Sequence, residues 1–267
     1  MSHYDLETKC LHSGYSPKNG EPRVMPIVQS TTYVYDSTAD VAAVFDDPTK
    51  GLIYSRFANP TVDAVEKKIA DLEGGVAAMA TSSGQAASLC SILNLCSAGD
   101  SFISASTIYG GTINLFGYTL KKLGIECIFV DADASEEELQ KAFKPNTKCV
   151  FGETIANPAL SVLDIEKFAN FAHKNGVPLI IDNTFATPIL CRPIEWGADI
   201  VIHSTSKYMD GHALQIGGVI VDSGKFDFTN GKFPEFTEPD ESYHGIIYTR
   251  DYPDCPFILK ARMQLMR

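Results

Sequence analysis

Residues 177–207 read VPLIIDNTFATPILCRPIEWGADIVIHSTSK, and this stretch decides the fold that the sequence predicts. It holds two short apolar runs, VPLII and ADIVI, joined by a polar connection. Continuous rather than alternating apolar runs are typical of strands buried on both faces of a parallel sheet. The first run ends at Asp182, and the second leads into Ser204, Ser206 and Lys207. Because ligands bind outside the carboxyl ends of such strands, we expect these side chains to meet in one crevice.

The alternation of strands and helices continues outward from this stretch. Further apolar runs are VAAMATSS, SFISAS, CIFVDAD and CVFGET. Asn59 and Pro60 open a predicted helix that Gly74 ends. Ser135 and Glu138 form a capping box at the start of another helix. The sequence therefore predicts an α/β fold with a mostly parallel sheet flanked by helices.

The chain divides into three predicted parts. Residues 1–60 show no sustained periodicity and are rich in Pro, Ser, Thr and Tyr, which predicts an extended N-terminal arm. Residues 61–250 form the α/β domain. Residues 251–267 look like the opening turns of an amphipathic helix, so we expect them to begin a C-terminal domain that the sequence lacks. The apolar side chains of this segment are expected to have no partner: Phe257, Ile258, Leu259, Met263, Leu265 and Met266.

Composition argues against several classes of function. The formal net charge of −11 disfavours a broad nucleic-acid surface. No window supplies the roughly 18 uninterrupted apolar residues that a membrane span needs. The six histidines show no metal-ligand spacing such as HExxH, so we expect no metal site. Seven cysteines without a CxxC spacing, and an N-terminus without a signal pattern, predict a cytoplasmic protein with buried, reduced thiols.

Two side chains at the predicted strand ends are candidates for catalysis. Lys207 follows three hydroxyl residues and suits an imine-forming lysine, which requires a partly desolvated amine. A solvated turn lysine suits the same position. Asp182 ends a buried strand, where a carboxylate is costly without a cationic partner such as a pyridinium nitrogen. An Asx turn or a helix cap is the alternative for Asp182.

A phosphate-binding turn is predicted in the stretch SSGQAA. There Gly84 and Gln85 join a strand to a helix, so their N–H groups are suited to an anion. A tight turn into a helix uses the same residues, but hydroxyls from Ser204 and Ser206 would complete an anion cup. Tyr109 precedes two glycines and suits stacking on a flat ring, although an aromatic residue at a strand end is more often part of the core.

Five stretches, in this order, together resemble the Cys/Met-metabolism family of pyridoxal-phosphate (PLP) enzymes: YSRFANPT, SSGQAA, YGGT, IIDNTFATP and HSTSKYMDGH. The resemblance runs from about residue 5 to the end. It is closest to the O-acetylhomoserine sulfhydrylases, because GKFDFTNGKFPEFTEPDESYHG after IGGVIVD is similar to an insertion of theirs. The implied fold over residues 61–250 is the large domain of PLP-dependent transferases (fold type I, cystathionine γ-synthase-like), with a seven-stranded type of sheet and a truncated C-terminal small domain.

The resemblance implies PLP as the cofactor, bound to Lys207 as a Schiff base. Lys207, Tyr109 and Asp182 would be catalytic, with Asp182 pairing with the ring nitrogen and Tyr109 stacking on the ring. The other cofactor-binding residues would be Ser83, Gly84, Gln85, Asn157 near the phenolic oxygen, Ser204 and Ser206, with Tyr54 and Arg56 from a neighbouring subunit. The implied reaction is γ-replacement of acetate in O-acetylhomoserine by sulfide, which gives homocysteine for methionine biosynthesis, in a homodimer or homotetramer.

The resemblance leaves alternatives open. γ-Elimination, as in methionine γ-lyase, and a cystathionine γ-synthase type of reaction use the same residues around Lys207. A cofactor-binding fragment without turnover is the third alternative, since the family's arginine for the substrate carboxylate lies in the C-terminal domain. Gln85 stands where many relatives have Met, a change that a backbone contact tolerates.

Overall fold

The computed structural model describes residues 4–46 and 50–266. Residues 1–3 and 47–49 of the predicted arm, and Arg267 of the predicted C-terminal segment, lie outside the described residues. Seven strands form one sheet: β1 (Ala77–Thr81), β2 (Ser101–Ala105), β3 (Glu126–Val130), β4 (Thr147–Glu153), β5 (Leu179–Asp182), β6 (Ile200–Ser204) and β7 (Gly218–Asp222).

The described residues also form twelve α-helices: α1 (Leu6–His12), α2 (Thr38–Asp46), α3 (Pro60–Glu73), α4 (Gly84–Leu93), α5 (Gly110–Asn114), α6 (Leu120–Lys122), α7 (Glu136–Ala142), α8 (Ile165–Lys174), α9 (Thr187–Leu190), α10 (Pro234–Thr237), α11 (Tyr248–Asp251) and α12 (Pro256–Leu265). A π-helical turn, Leu115–Thr119, joins α5 to α6, and Pro193–Trp196 and Glu241–Tyr243 are 3₁₀ turns. None of the helices in the described ranges is long and apolar enough to cross a membrane.

The sheet has the order β1-β7-β6-β5-β4-β2-β3. Strands β3, β2, β4, β5 and β6 pair in parallel, whereas β7 is antiparallel to both β1 and β6. The predicted mostly parallel, seven-stranded sheet is therefore confirmed. Every residue of β2 and β7 is buried, which explains the continuous apolar runs.

The predicted helix starts are confirmed at two caps. The Asn59 side chain accepts hydrogen bonds from the N–H groups of Thr61 and Val62, and Gly74 ends α3 at φ 79°. Ser135 and Glu138 make the reciprocal hydrogen bonds of a capping box at α7. These local signals fix where the helices that flank the sheet begin.

The C-terminal helix α12 differs from its prediction, because its apolar face does have a partner. Phe257 is 0% exposed and Ile258 is 4% exposed, and α12 contacts β1, β7 and α4. The insertion after β7 supplies an aromatic cluster around Phe257 that includes Phe228 and Phe236. The remaining apolar residues that were expected to lack a partner pack against the same core: Leu259, Met263, Leu265 and Met266. The expectation of an uncovered face was wrong because the aromatic insertion has no periodicity that reveals its packing.

The N-terminal segment also departs from a purely extended arm. It contains α1 and α2, and α1 is held on α3 by an ion pair of 2.8 Å between Lys9 Nζ and Asp71 Oδ1. Between the two helices the backbone is irregular, with turns and bends, and it exposes Val24, Ile27 and Val34. This part therefore presents apolar side chains on the surface of the chain.

Candidate functional site

Polar residues at or after the ends of five strands, β1, β2, β4, β5 and β6, meet at the carboxyl-terminal edge of the sheet. Glu153 on β4 pairs with Asp182 on β5, and Asp182 pairs in turn with Ile202 on β6. A cleft of about 270 Å³ lies at this edge. Its lining residues are Ser83, Gly84, Gln85, Tyr109, Glu153, Asn157, Asp182, Thr184, Phe185, Ser204, Ser206, Lys207 and Ile216. The structure thus brings together all predicted site residues except Tyr54 and Arg56.

Asp182 presents its carboxyl group to this cleft in a fixed orientation. Its Oδ1 accepts hydrogen bonds from the N–H group of Thr184 at 3.0 Å and from the Thr184 hydroxyl at 2.5 Å. Among the described residues, Oδ2 has no hydrogen-bond donor. Burial raises the pKa of Asp182, while the bonds from Thr184 and the charge of His203 oppose that rise. One oxygen is thus anchored and the other is free to pair with a cationic group.

A buried polar network supports β5 and β6 on the opposite face of the sheet. His203 Nε2 lies 2.5 Å from Glu73 Oε1, and both residues are 0% exposed. The Asn183 side-chain amide donates to the same Glu73 oxygen at 3.0 Å. Asn183 follows Asp182, and His203 precedes Ser204. The network therefore ties together the two strand ends that carry site residues.

The predicted anion cup lies between the start of α4 and the end of β6. Ser83 caps α4 by accepting from the N–H group of Ala86 at 3.1 Å. The N–H groups of Gly84 and Gln85 have no partner inside the helix, as at any helix start. A Cβ at Gly84 would lie 2.5 Å from Cβ of Ser204, so only glycine permits this approach. Helix N–H groups and the Ser204 hydroxyl thus converge on one anion-sized space.

Lys207 and Tyr109 lie on the more open side of the cleft. Lys207 sits in a turn and is exposed, and Tyr109 is 47% exposed. The partial desolvation that an imine-forming lysine requires is thus not provided by the described residues of a single chain. Ser206 is held by Gly217, whose N–H group donates to the Ser206 hydroxyl at 2.9 Å. The amine of Lys207 is accessible to a ligand in the cleft.

Glu153 and Thr184 belong to the cleft but were not among the predicted site residues. Glu153 is 6% exposed, and its Oε2 accepts from the N–H group of Tyr109 at 2.8 Å. Burial, and after it the negative charge of Asp182, raises the pKa of Glu153 to about 8. Thr184 joins the two strand ends, since its hydroxyl also accepts from the N–H group of Ser204 at 2.8 Å. The position of Glu153 at the end of a predicted strand was the one sequence feature that could have marked it as a site residue.

Tyr54 and Arg56 do not reach the cleft of their own chain. The Arg56 guanidinium stacks over the Tyr54 ring at 4.9 Å, and both residues are exposed. They lie in the segment that leads from the N-terminal arm to α3. Within residues 4–46 and 50–266, no group of three or more His, Cys, Asp or Glu side chains is arranged to hold a metal ion. All seven cysteines are free, with Cys96 and Cys149 buried and the others half-buried.

The cleft fits a flat, cationic ring that carries a phosphate and an aldehyde. The glycine cradle at Gly84 suits the phosphate, the free oxygen of Asp182 suits a protonated ring nitrogen, and the Lys207 amine suits the aldehyde. This combination on a mostly parallel α/β sheet defines a class of PLP-binding transferase domain. The chain belongs to the Cys/Met metabolism PLP-dependent enzyme family, whose model matches residues 7–240.

Comparison with known proteins supports the assignment to this family. The chain is 48% identical over 270 residues to an O-acetyl-L-homoserine sulfhydrylase of Corynebacterium glutamicum, covering 99% of the chain and 62% of that protein. It is 45% identical over 271 residues to a homocysteine/cysteine synthase of Kluyveromyces lactis, covering 100% of the chain and 60% of that protein. The chain thus spans about 60% of the length of these relatives.

A solved structure is also similar to the chain along almost its whole length. It is a Campylobacter jejuni protein assigned as an O-acetylhomoserine (thiol)-lyase, with N'-pyridoxyl-lysine-5'-monophosphate in the crystal. The TM-score is 0.93 at 36% identity, and the match covers 99% of this chain and 65% of that one. PLP is therefore the cofactor of the family to which the chain belongs.

Proposed function

We propose that this protein is an O-acetylhomoserine sulfhydrylase, which replaces the acetate of O-acetylhomoserine by sulfide and forms homocysteine for methionine biosynthesis. The observation that carries the proposal is the cleft that contains Gly84, Asp182 and Lys207. It lies in a chain that is 48% identical to an O-acetyl-L-homoserine sulfhydrylase and 45% identical to a homocysteine/cysteine synthase. PLP, when bound, supplies a ring that accepts electrons as bonds next to the substrate amino group break.

The residues of the cleft have separate roles in this proposal. The N–H groups of Gly84 and Gln85 and the hydroxyls of Ser204 and Ser206 hold the phosphate, with Ser83 capping the helix beneath it. Asp182 keeps the ring nitrogen protonated through its free oxygen. Tyr109 covers one face of the ring, and Asn157 lies near the phenolic oxygen.

Lys207 performs the chemistry that a single amine at this position allows. Its Nζ forms the covalent link to the aldehyde and, once released, takes a proton from Cα of the substrate and returns protons during the exchange of acetate for sulfide. γ-Elimination would use the same groups. It is the less favoured reaction, because the relatives named above are a sulfhydrylase and a synthase. Product analysis separates the two: γ-replacement yields homocysteine only when sulfide is present, whereas a 2-oxo acid formed without sulfide would overturn the proposal.

The covalent role of Lys207 has its own test. Reduction of the protein with borohydride in the presence of PLP should fix the cofactor on the peptide that contains Lys207. The matched control is Lys225→Ala, a lysine outside the cleft, which should leave the label in place, whereas Lys207→Ala should abolish it. A label on any other lysine would contradict the assignment.

We further propose that two or four copies assemble in the cytoplasm and share their sites, with Tyr54 and Arg56 of one copy binding the phosphate held by another. Tyr54 and Arg56 are exposed, away from their own cleft, and next to an arm with exposed apolar residues, which supports this arrangement. Seven free cysteines suit a reducing compartment. Mixing Arg56→Ala copies with Lys207→Ala copies should restore part of the activity, because a mixed assembly contains an intact site. No restoration after subunit exchange would refute the sharing.

A further inference from the structure

Glu153 links two segments that carry proposed cofactor contacts. Its Oε2 accepts from the N–H group of Tyr109 at 2.8 Å, and the N–H group of Asn157 also donates to its carboxyl group. Tyr109 lies between β2 and α5, whereas Asn157 follows β4, so the two segments are otherwise separate. At 6% exposure, Glu153 is nearly buried between them. One carboxyl group therefore sets the positions of an aromatic ring and an amide at the cleft.

Glu153 also faces a second carboxyl group. It is the cross-strand partner of Asp182, and paired residues on neighbouring strands point to the same face of a sheet. The other titratable groups of the cleft are the amine of Lys207 and the phenol of Tyr109. Asp182 is the group whose charge acts directly on the pKa of Glu153.

Among the described residues, the neighbouring elements β2 and α8 bring no cation to Glu153. Strand β2, on the other side of β4, ends in the uncharged residues Ser104 and Ala105. Helix α8 also contacts β4, but its charged residues are directed elsewhere: Glu166, His173 and Lys174 are exposed, and Lys167 Nζ binds the Ala132 carbonyl. The charge of His203 acts on Asp182 and not on Glu153. Two neighbouring buried carboxyl groups do not both ionise readily, so near neutral pH Glu153 holds a proton.

We propose that Glu153 is a positioning residue for the cofactor, which fixes Tyr109 and Asn157 through their N–H groups and releases its proton when a protonated ring nitrogen pairs with Asp182. This inference rests on the proposal that PLP occupies the cleft. The ring cation offsets the charge of Asp182, so the ionised form of Glu153 is no longer opposed by an unbalanced neighbour. The O–H bond of Glu153 breaks, its proton goes to solvent, and the N–H bond of the ring stays intact beside Asp182.

The proton count on binding tests the proposal without relying on activity. PLP is titrated calorimetrically into wild-type protein and Glu153→Gln near neutral pH, in buffers with different ionisation enthalpies. Wild type should release about one proton more than the variant, because glutamine has none to lose. The circular dichroism of the bound cofactor should weaken in Glu153→Gln, and its affinity should fall about tenfold, because the amide has only one accepting oxygen for two N–H groups.

Glu66→Gln is the matched control. Glu66 is also 6% exposed and also accepts from a backbone N–H group, that of Ala80 at 2.6 Å, but it lies outside the cleft and pairs with Arg262 at 2.6 Å. The proton count and the circular dichroism of Glu66→Gln should equal those of wild type, even if its stability falls. A loss of signal in both variants would show that any buried carboxyl group has this effect and would overturn the proposal.

A second variant keeps the test decisive if Glu153→Gln does not fold. Glu153→Asp retains a carboxyl group on a side chain one methylene shorter, so it should release the proton but show weakened circular dichroism. Wild-type dichroism in Glu153→Asp would overturn the positioning role. Equal proton release by wild type and Glu153→Gln, with PLP bound to both, would overturn the proton linkage alone. A wild-type protein that binds no PLP would overturn the proposed function as well.

Discussion

The substitution Gly84→Ala tests the anion cup with a single methyl group. The added Cβ would lie 2.5 Å from Cβ of Ser204 and 2.9 Å from its Cα. Ordinary carbon contacts are about 3.5–4.0 Å, so the start of α4 must move away from β6 by roughly 1 Å. Neither neighbouring atom is the end of a flexible side chain, so the strain cannot be relieved by a change of rotamer.

Two opposing effects determine how much Gly84→Ala changes the free energy of unfolding. Overpacking of this kind costs about 1–3 kcal/mol, whereas replacing glycine by alanine in a compatible backbone stabilises by about 0.4–1 kcal/mol through the unfolded chain. We therefore expect Gly84→Ala to lower the free energy of unfolding by about 1–2 kcal/mol. The displaced N–H groups lose their alignment with the phosphate, and a charge-assisted hydrogen bond is worth about 1.5–3 kcal/mol, so the Kd for PLP should rise roughly ten- to hundredfold.

Gly110→Ala is the control for this substitution. Gly110 is likewise the first residue of a helix, but a Cβ there meets nothing within 4 Å. Its stability should stay within about 0.5 kcal/mol of wild type or rise slightly, with unchanged PLP affinity. Urea denaturation without PLP gives the stabilities, and the visible absorbance of bound PLP gives the affinities. If Gly84→Ala matches Gly110→Ala in both measurements, the close approach of α4 to β6 is not what shapes the cup.

Three further outcomes are expected. Asn59→Ala removes the cap of α3 and should lower the free energy of unfolding by about 1 kcal/mol in urea denaturation, whereas no change would show that the cap is dispensable. Asp182→Asn keeps the side-chain volume but removes the charge, so the Kd for PLP should rise about ten- to hundredfold in an absorbance titration, and an unchanged Kd would contradict the pairing with the ring nitrogen. Burial lowers the pKa of Lys260 to about 8 from its ordinary 10.5. Because the folded-state pKa is lowered, its contribution to stability is fully present above pH 10.5 and is lost as pH falls through about 8. The free energy of unfolding of wild type, but not of Lys260→Met, should therefore rise as pH increases from about 8 to 10.5. Parallel pH profiles of the two proteins would refute this.

The sequence predicted six of the seven strands, all except β7, and the edge of the sheet at which the site lies, because buried parallel strands have a distinct apolar pattern. Asp182, Ser204 and Lys207 directly follow such runs, so their convergence followed from the topology of α/β sheets. The direction of β7 could not be predicted in the same way, since an apolar run is identical in parallel and antiparallel pairing. The packing of α12 also escaped prediction, because Phe228 and Phe236 lie in an insertion without periodicity.

Glu153 shows a different limit of the sequence. Its position at the end of β4 marked it as polar and close to the site, but its role depends on contacts with residues far away in the chain. The donor is the N–H group of Tyr109, 44 positions earlier. A backbone group donates irrespective of its side chain, so no residue type in the sequence announces such a bond. The register with Asp182 likewise exists only once β4 and β5 pair.

The two sides of the cleft differ in how firmly the chain itself supports them. Asp182 and the cup at Gly84 rest on paired strands, a capped helix and the buried network of Glu73 and His203. Lys207 instead lies in a segment without helix or strand, residues 205–217, where Leu214 is 83% exposed. Exposed apolar side chains of this kind are typical of interaction surfaces, and they are consistent with the assembly of copies proposed above. The groups proposed to hold the phosphate and the ring nitrogen are thus in place within one chain, whereas the proposed imine-forming lysine lies in an exposed segment that the proposed assembly of copies would have to cover.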